Sequence, residues 1–445
     1  MKIVIAGAGS VGFHIAKHLS EEKKDIIVIE KDAEKAKFIS DNLDCFVING
    51  DATNIETLKK AGCGDADIFV AATDSDEVNI ISCLIAASEF NIPKKIARIK
   101  KLEYEKSNIF QPKLIGIDFI INPEIEAAKS IINTINFGAT SDTIIFEDTD
   151  IQMRGVYIDE NSSLLNKTII KIKKELKSEF IIAGIKRGNN LMIPDGYSTL
   201  NKGDYIYVVS KKQNIDEILN NIGKIKIKIK NIAIIGGGNI GRISAAGLSG
   251  KHRNVKIIEK NYEKCKYIAN KLKSVTVINA DASDAKIFSE ERICEFDAII
   301  TATNNEELNV LSAIYAKNIG VKRSIAIINK ENYIEMAQKL GIDAIISPKL
   351  STVSSVMRYI RKGNVIGLYS IFGGDAEAME VRIGKNSQFI NKPLMQIKLP
   401  KGSLVVSVSR ENESYIPDGN FIIKPYDKMI VFTKKDDINT IEKLL

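Results

Sequence analysis

Two glycine-rich segments carry residue types that bind the phosphates of a nucleotide. Residues 3–12 read IVIAGAGSVG and residues 232–241 read IAIIGGGNIG. In a Gly-x-Gly-x-x-Gly pattern between a strand and a helix, the glycines permit a tight turn and close approach of the backbone to phosphate. The helix N-terminus then offers unpaired N–H groups. The alternative is a tight strand–helix turn without a ligand. The candidate phosphate-binding residues are Gly7, Ala8, Gly9, Ser10, Val11 and Gly12 in the first segment, and Gly236, Gly237, Gly238, Asn239, Ile240 and Gly241 in the second.

An acidic residue follows each glycine segment at the same distance. Glu30 and Glu259 end the second predicted strand of their halves. A carboxylate at that point accepts hydrogen bonds from ribose hydroxyls and repels a 2′-phosphate. Both sites should therefore prefer NAD(H) or an adenosine phosphate over NADP(H). The alternative is a charge at the N-terminus of the next helix.

Further polar residues follow the third and fourth predicted strands in both halves. An aspartate after the third strand would lie near an adenine, and a threonine after the fourth would lie at the rim of the crevice. Helix capping is the competing interpretation for the aspartates and for the asparagines that open the next helix. The candidates are Asp51, Ala52, Thr73 and Asn79 in the first half, and Asp281, Ala282, Thr303 and Asn309 in the second.

The two halves differ at the fifth strand, predicted over residues 96–100. The first half reads Ala97-Arg98-Ile99-Lys100, and the second has Ala-Ile-Ile-Asn at 326–329. Two cations at alternate strand positions lie on one side and suit additional phosphate charge. The two sites therefore need not bind the same ligand. A solvated sheet end is the alternative for Arg98 and Lys100.

Residues that could catalyse a reaction are few. The chain has three histidines, and none lies in the segments that would face a nicotinamide. His14 and His18 share a helix face, but no further ligand completes a metal site. The five cysteines form no CxxC pair, so neither zinc nor redox chemistry is expected. These features favour a regulator over an enzyme. A lysine could still serve as a general acid or base, which keeps an NAD-dependent oxidoreductase as an alternative.

Alternating strands and helices must position these residues. Short apolar strands separated by helical segments indicate doubly wound parallel sheets over residues 1–122 and 231–347. A smaller strand-rich α+β module with a recurring Pro-Asp-Gly turn follows each sheet, over 137–221 and 365–445. Helices are predicted over 103–111 and after Pro123 and Pro348, and a linker over 223–231. This long repeat is a domain duplication.

Composition limits the partners. The formal net charge is +7, and the lysines are spread along the chain, so no nucleic-acid-binding stripe is expected. No uncharged stretch approaches the roughly 20 residues of a membrane helix. The first residues do not form a signal peptide, and we expect a cytoplasmic protein.

The chain resembles the TrkA family of Trk potassium uptake systems. The resemblance rests on GAGSVG, the GDAT segment at 50–53, ATDSDEVN at 72–79, the ARIK strand and the two IPDG modules. It implies tandem halves, each with a Rossmann domain of the regulator-of-potassium-conductance (RCK) type and a small C-terminal domain. It also implies a homo-oligomeric, tetrameric ring at the inner face of the membrane. That ring would gate a TrkH- or TrkG-like potassium-translocating subunit in response to NAD(H) and ATP or ADP.

The resemblance also bears on how the two sites differ. Arg98 and Lys100 match basic positions that the family uses for nucleotide phosphates. The second half lacks both, so the resemblance supports NAD(H) there more than a triphosphate. The regulator of another cation transporter or of an efflux channel is a further alternative.

Overall fold

The computed structural model describes most of the chain. The described residues are 1–101, 103–104, 116–136, 143–146, 149–160, 162–176, 178–188, 190–222, 229–250, 252–360, 365–371, 375–385, 387–411 and 413–444. Most of the helix predicted over 103–111, and residues 223–228 of the predicted linker, lie outside these ranges.

The first half begins with a six-stranded parallel sheet. Its strands are β1 (Lys2–Ala6), β2 (Asp25–Glu30), β3 (Phe46–Asn49), β4 (Ile68–Ala71), β5 (Lys94–Arg98) and β6 (Phe119–Ile121). Their order, β3-β2-β1-β4-β5-β6, reverses between β1 and β4 and opens a crevice at the carboxyl ends of these two strands. Strand β5 ends at Arg98, so the predicted strand over 96–100 was wrong at its end and Lys100 lies in the following loop.

Helices connect these strands, and the next helix leaves the sheet. They are α1 (Ser10–Glu21), α2 (Ala33–Asn42), α3 (Ile55–Lys60), α4 (Asp76–Ser88) and α5 (Pro123–Asn136). The central strand β1 is apolar on both faces, and Ile3, Val4 and Ile5 are fully buried. Helices therefore cover both sides of the sheet, as its parallel pairing requires.

A small antiparallel module follows. Its elements are β7 (Thr143–Ile145), β8 (Ile151–Tyr157), α6 (Ile169–Leu176), β9 (Phe180–Arg187), β10 (Asn190–Met192), β11 (Tyr205–Lys211) and α7 (Lys212–Asn221). The strand order is β10-β9-β11-β8-β7. Arg187 donates from Nε and Nη2 to the two carboxylate oxygens of the buried Asp204, each at 2.8 Å.

The second half repeats the parallel sheet. Its strands are β12 (Asn231–Ile235), β13 (Asn254–Glu259), β14 (Val275–Asn279), β15 (Ala298–Thr301), β16 (Arg323–Ile327) and β17 (Ala344–Ile346). Its helices are α8 (Asn239–Leu248), α9 (Tyr262–Lys271), α10 (Lys286–Glu290), α11 (Glu306–Asn318), α12 (Glu331–Lys339) and α13 (Pro348–Ile360). The strand order β14-β13-β12-β15-β16-β17 matches the first sheet, so the predicted duplication of a doubly wound fold is confirmed.

The second small module also repeats the first. Its elements are β18 (Val365–Ile371), β19 (Ala376–Arg382), β20 (Ser403–Arg410), β21 (Glu413–Tyr415), β22 (Lys428–Lys434) and α14 (Ile438–Leu444). One buried cluster holds apolar side chains of both modules, among them Met153, Tyr207, Ala378 and Phe432. The two modules thus share a core.

Contacts divide the chain into two compact units: residues 1–130 with 346–360, and residues 131–345 with 361–445. Helix α13 packs with the first sheet although it follows the second. The ring of its Tyr359 stacks on that of Phe119 in β6, with centroids 4.6 Å apart, and Ser355 donates a hydrogen bond to Glu126. Among the described residues, no helix has the length and apolar character needed to cross a membrane.

Candidate nucleotide sites

The backbone conformation and close contacts within the protein require glycine at the first and third positions of each loop. Gly7 has a φ of +103°, and a Cβ there would lie 2.8 Å from the Cα of Thr73. A Cβ on Gly12 would overlap the carbonyl oxygen of Gly7. Gly236 and Gly241 repeat both restrictions, with φ again +103° at the first. These four glycines are required by the turn itself.

Neither backbone conformation nor steric clash requires a glycine at the middle position of either loop. Gly9 has a φ of −66°, and the nearest atom to a Cβ built there is Asp74 Oδ2, at 3.7 Å. Gly238 has a φ of −63°, and a Cβ there would meet nothing within 4 Å. The backbone of Gly238 faces open space and that of Gly9 meets only the Asp74 carboxylate at an ordinary contact distance, so both positions leave room for a closely approaching phosphate.

The helices after the two loops begin without a capping side chain. Gly9 and Gly238 are the N-cap residues of α1 and α8, and no side chain accepts a capping hydrogen bond from the first turn of either helix. By contrast, Asp32 and Asn261 cap α2 and α9. The first-turn N–H groups of α1 and α8 are therefore available to an anion. Val11 is buried, so any contribution from it to the site is made by its backbone N–H.

Glu30 and Glu259 connect each glycine loop to the end of its second strand. Glu30 accepts from the N–H of Ala8 at 2.5 Å and from that of Asp32 at 2.9 Å. Glu259 accepts from Gly237 at 2.7 Å and from Asn261 at 2.8 Å. Each carboxylate oxygen keeps a lone pair for a ribose hydroxyl. Each glutamate also serves the start of the next helix through its bond to the backbone N–H of the N-cap residue, whereas the side-chain caps themselves are Asp32 and Asn261.

The aspartates after the third strands organise their own loops and cap no helix. Asp51 Oδ1 accepts from the N–H and the hydroxyl of Thr53, and these bonds lower the pKa of Asp51. Asp281 Oδ1 accepts from the N–H of Ser283, which lowers its pKa in the same way. Both stay ionised, and Asn54 caps α3. The neighbouring Ala52 is buried and Ala282 half-buried.

Asn79 joins the ends of two strands. Its Oδ1 accepts from the N–H and the hydroxyl of Thr73, at 2.9 and 2.7 Å, and its Nδ2 donates to the carbonyls of Thr73 and Arg98, at 3.1 and 2.8 Å. These bonds fill the capacity of the buried amide, so Asn79 positions the rim of the crevice. The helix caps are Ser75 and Asn305, so capping by these asparagines was the wrong alternative.

Thr303 and Asn309 form the same set of hydrogen bonds in the second half. Asn309 Oδ1 accepts from the N–H and the hydroxyl of Thr303, and its Nδ2 donates to the carbonyls of Thr303 and Ile327. The two crevices therefore have the same frame.

Sequence reasoning missed the carboxylates that face the two cations of the first half. Arg98 Nη1 donates to Asp74 Oδ1 and to the carbonyl of Thr73, both at 3.1 Å, and Lys100 Nζ lies 3.8 Å from the same carboxylate oxygen. The buried Asp76 accepts from the N–H of Lys100 and so fixes the backbone of that residue. Both aspartates stand in the ATDSDEVN segment, but their partners Arg98 and Lys100 lie more than 20 residues later, at the end of β5 and in the loop after it.

The charges here act on each other. The hydrogen bond from Arg98 lowers the pKa of Asp74; burial opposes it, and the positive charges of Arg98, Lys100 and Lys35 reinforce it. Lys35 also lines a cavity of about 490 Å³ beside the loop. The lining residues are Ala8, Gly9, Ser10, Phe13, Glu34, Lys35 and Phe38.

The second half lacks this charged group. Asn304, Ile327 and Asn329 occupy the places of Asp74, Arg98 and Lys100. Among the residues that the structure describes, no cluster of His, Cys, Asp and Glu is arranged to hold a metal ion.

Two family models match the chain in alternation. The TrkA-N domain matches residues 3–123 and 232–348, and the TrkA-C domain matches 153–223 and 378–445. The chain belongs to the TrkA family of Trk potassium uptake proteins. It is 31% identical over 450 residues to the Trk system potassium uptake protein TrkA of Azorhizobium caulinodans, with 100% of this chain and 98% of that protein covered. It is 32% identical over 444 residues to the TrkA homolog of Archaeoglobus fulgidus, with 100% of both covered.

Solved structures with this fold are more distant. The GsuK RCK domain has a TM-score of 0.60 at 17% identity, with 100% of this chain and 94% of that chain covered. The GsuK channel bound to NAD has a TM-score of 0.61 at 17% identity, with 100% and 78% covered. A GsuK structure bound to ADP has a TM-score of 0.51 at 15% identity, with 81% and 69% covered. These likenesses show the TrkA-type RCK fold.

Proposed function

We propose that this chain is the cytoplasmic, nucleotide-binding regulatory subunit of a Trk-type potassium uptake system. It would assemble as a tetrameric ring at the inner face of the membrane and gate a TrkH- or TrkG-like potassium-translocating subunit in response to NAD(H) and ATP or ADP. The observation that carries this proposal is the pair of glycine loops, each with a middle glycine that no steric clash requires and with a helix behind it that has no side-chain cap.

Membership of the TrkA family supplies the link to potassium uptake. Full-length relatives are named as Trk system potassium uptake proteins, and structures of the similar GsuK hold NAD and ADP. In the two crevices, Glu30 and Glu259 would accept from ribose hydroxyls, and the first-turn N–H groups of α1 and α8 would hold phosphates. A nucleotide can regulate the assembly only by binding its two conformations with different affinity.

Calorimetry tests the two sites separately. Wild type should bind nucleotide at two sites per chain, and Gly9→Asp and Gly238→Asp should each remove one, because a carboxylate on the loop repels phosphate and fills its space. Thermal melting checks that both variants are folded. Binding at no more than one site per wild-type chain would mean that the duplication is structural.

Growth tests the transport role. Cells that lack the gene should fail on micromolar potassium, and the tagged chain should copurify with a membrane protein. Normal growth together with an empty pull-down would contradict the assignment. Steady NADH oxidation with a small carbonyl substrate would favour an oxidoreductase instead.

A further inference from the structure

An acidic side chain stands between the first glycine loop and the cations of the same crevice. Asp74 Oδ1 pairs with Arg98 at 3.1 Å and with Lys100 at 3.8 Å, while its Oδ2 would lie 3.7 Å from a Cβ on Gly9. The carboxylate thus lies where it faces both the cations and the open side of the loop. This is the region that the phosphates of a nucleotide would enter if the proposed function is right.

The two partners of this ion pair differ in how far their side chains are buried and held by other bonds. The Arg98 side chain is 12% exposed and is held in place by its bond to the Thr73 carbonyl, whereas the Asp74 side chain is 74% exposed. Arg98 Nε is buried and has no acceptor among the described residues. The guanidinium is therefore a fixed donor, and the carboxylate is the partner that can be exchanged for another anion.

The acid and the bases occur together in the first half and are all replaced in the second. The second crevice has Asn304, Ile327 and Asn329 in place of the aspartate and the two cations, although the hydrogen bonds between its asparagine and threonine are the same. The frame of the crevice consequently does not need Asp74. Because Asp74 lies beside two cations that could bind phosphate, we expect it to affect which ligand binds.

We propose that Asp74 is a specificity-determining residue of the first site, an internal anion that competes with the ligand's phosphates for Arg98 and Lys100. This inference rests on the proposed function. A triphosphate that reaches both cations must displace the carboxylate, whereas a ligand that binds only at the glycine loop leaves the ion pair in place. Asp74 therefore lowers the affinity for ATP more than the affinity for NADH.

The test is calorimetry on the full chain with the second site silenced by Gly238→Asp. In that background, Asp74→Asn should tighten ATP roughly three- to tenfold and NADH less than about twofold, since a partly exposed pair is worth less than a buried one. Asp41→Asn makes the same change of net charge on the exposed end of α2 and should alter neither affinity. In an Arg98→Ala, Lys100→Ala background, the effect of Asp74→Asn on ATP should fall below about twofold.

Three results would overturn the inference. Unchanged or weaker ATP binding by Asp74→Asn would mean that Asp74 positions Arg98 or plays no part. Equal tightening of ATP and NADH would mean general repulsion without competition for the cations. Failure of the parent chain to bind either nucleotide at the first site would overturn both the inference and the proposed function, and the parent titration identifies that case.

Discussion

The side-chain amide of Asn79 donates a 2.8 Å hydrogen bond to the carbonyl oxygen of Arg98. This bond ties the first turn of α4 to the backbone at the end of β5, from which the side chain of Arg98 extends. The same amide holds the backbone of Thr73, whose carbonyl accepts from Arg98 Nη1. One buried asparagine thus sets the positions of the threonine and the arginine at the rim of the crevice.

We expect Asn79→Asp to destabilise the first unit. The substitution keeps the shape but replaces two donors by a carboxylate that faces the carbonyls of Thr73 and Arg98. Two lost bonds at a buried site should cost roughly 2–4 kcal/mol. The measurement is differential scanning calorimetry, read as a fall in the melting temperature of one transition. Asn42→Asp, at an exposed asparagine, is the control. An unchanged melting profile for Asn79→Asp would contradict the structural role.

The sequence was sufficient to predict the duplicated fold and the two loops. Strand–helix alternation and glycine spacing depend on neighbours along the chain, and these patterns survive in a single sequence. The role of Asn79 was not predictable, because its partner Arg98 is distant in sequence and its contact depends on the register of β4 against β5. The packing of α13 on β6 was not predictable for the same reason, because Tyr359 of the second half stacks on Phe119 of the first half, more than 200 residues earlier.

Two glycines of the first loop should respond differently to the same substitution. Gly12→Ala should destabilise the fold, because its Cβ would overlap the carbonyl oxygen of Gly7. Gly9→Ala should melt like wild type, because its nearest neighbour is an ordinary contact away, yet it should weaken nucleotide binding by filling the space of the phosphate. Thermal melting and calorimetry on both variants measure the two effects.

The second glycine loop allows the same pair of substitutions. Gly241→Ala and Gly238→Ala should reproduce the two outcomes, with an even cleaner result at Gly238, where a Cβ meets nothing within 4 Å. Normal nucleotide binding by folded Gly9→Ala and Gly238→Ala would contradict the placement of phosphate at these loops.

Arg98→Ala and Lys100→Ala should weaken ATP more than NADH at the first site. Neither cation belongs to the glycine loop that is proposed to bind the shared pyrophosphate, so both would serve the additional phosphate charge. Each contact should be worth on the order of 1.5–3 kcal/mol where shielded, and less for Lys100, whose side chain is 44% exposed. Titrations in the Gly238→Asp background measure the losses, with Lys60→Ala, at an exposed lysine that ends α3, as the control. Equal losses for both ligands would assign the cations to folding or to the pyrophosphate.

The ion pair of the first small module predicts a pH dependence of stability. Burial acts to raise the pKa of Asp204, but the hydrogen bonds from Arg187 and from the N–H of Asn201 outweigh it, so the pKa lies below its usual value. In the unfolded chain an aspartate titrates near its ordinary pKa of about 3.9. The contribution of Asp204 is therefore complete above that value and is lost as the pH falls through the folded pKa.

Asp204→Asn should remove this dependence. At pH 7 it should lower stability by roughly 2–3 kcal/mol, less than for a fully buried pair because the Arg187 side chain is 44% exposed. As the pH falls below the ordinary aspartate pKa of about 3.9, the melting temperatures of variant and wild type should approach each other. They should converge only below the lowered pKa of folded Asp204, where the wild-type carboxylate is protonated. Asp150→Asn, at an exposed carboxylate of the same module, should change neither quantity. A melting-temperature difference between variant and wild type that does not narrow as the pH is lowered further below about 3.9 would contradict the contribution of the Asp204 charge.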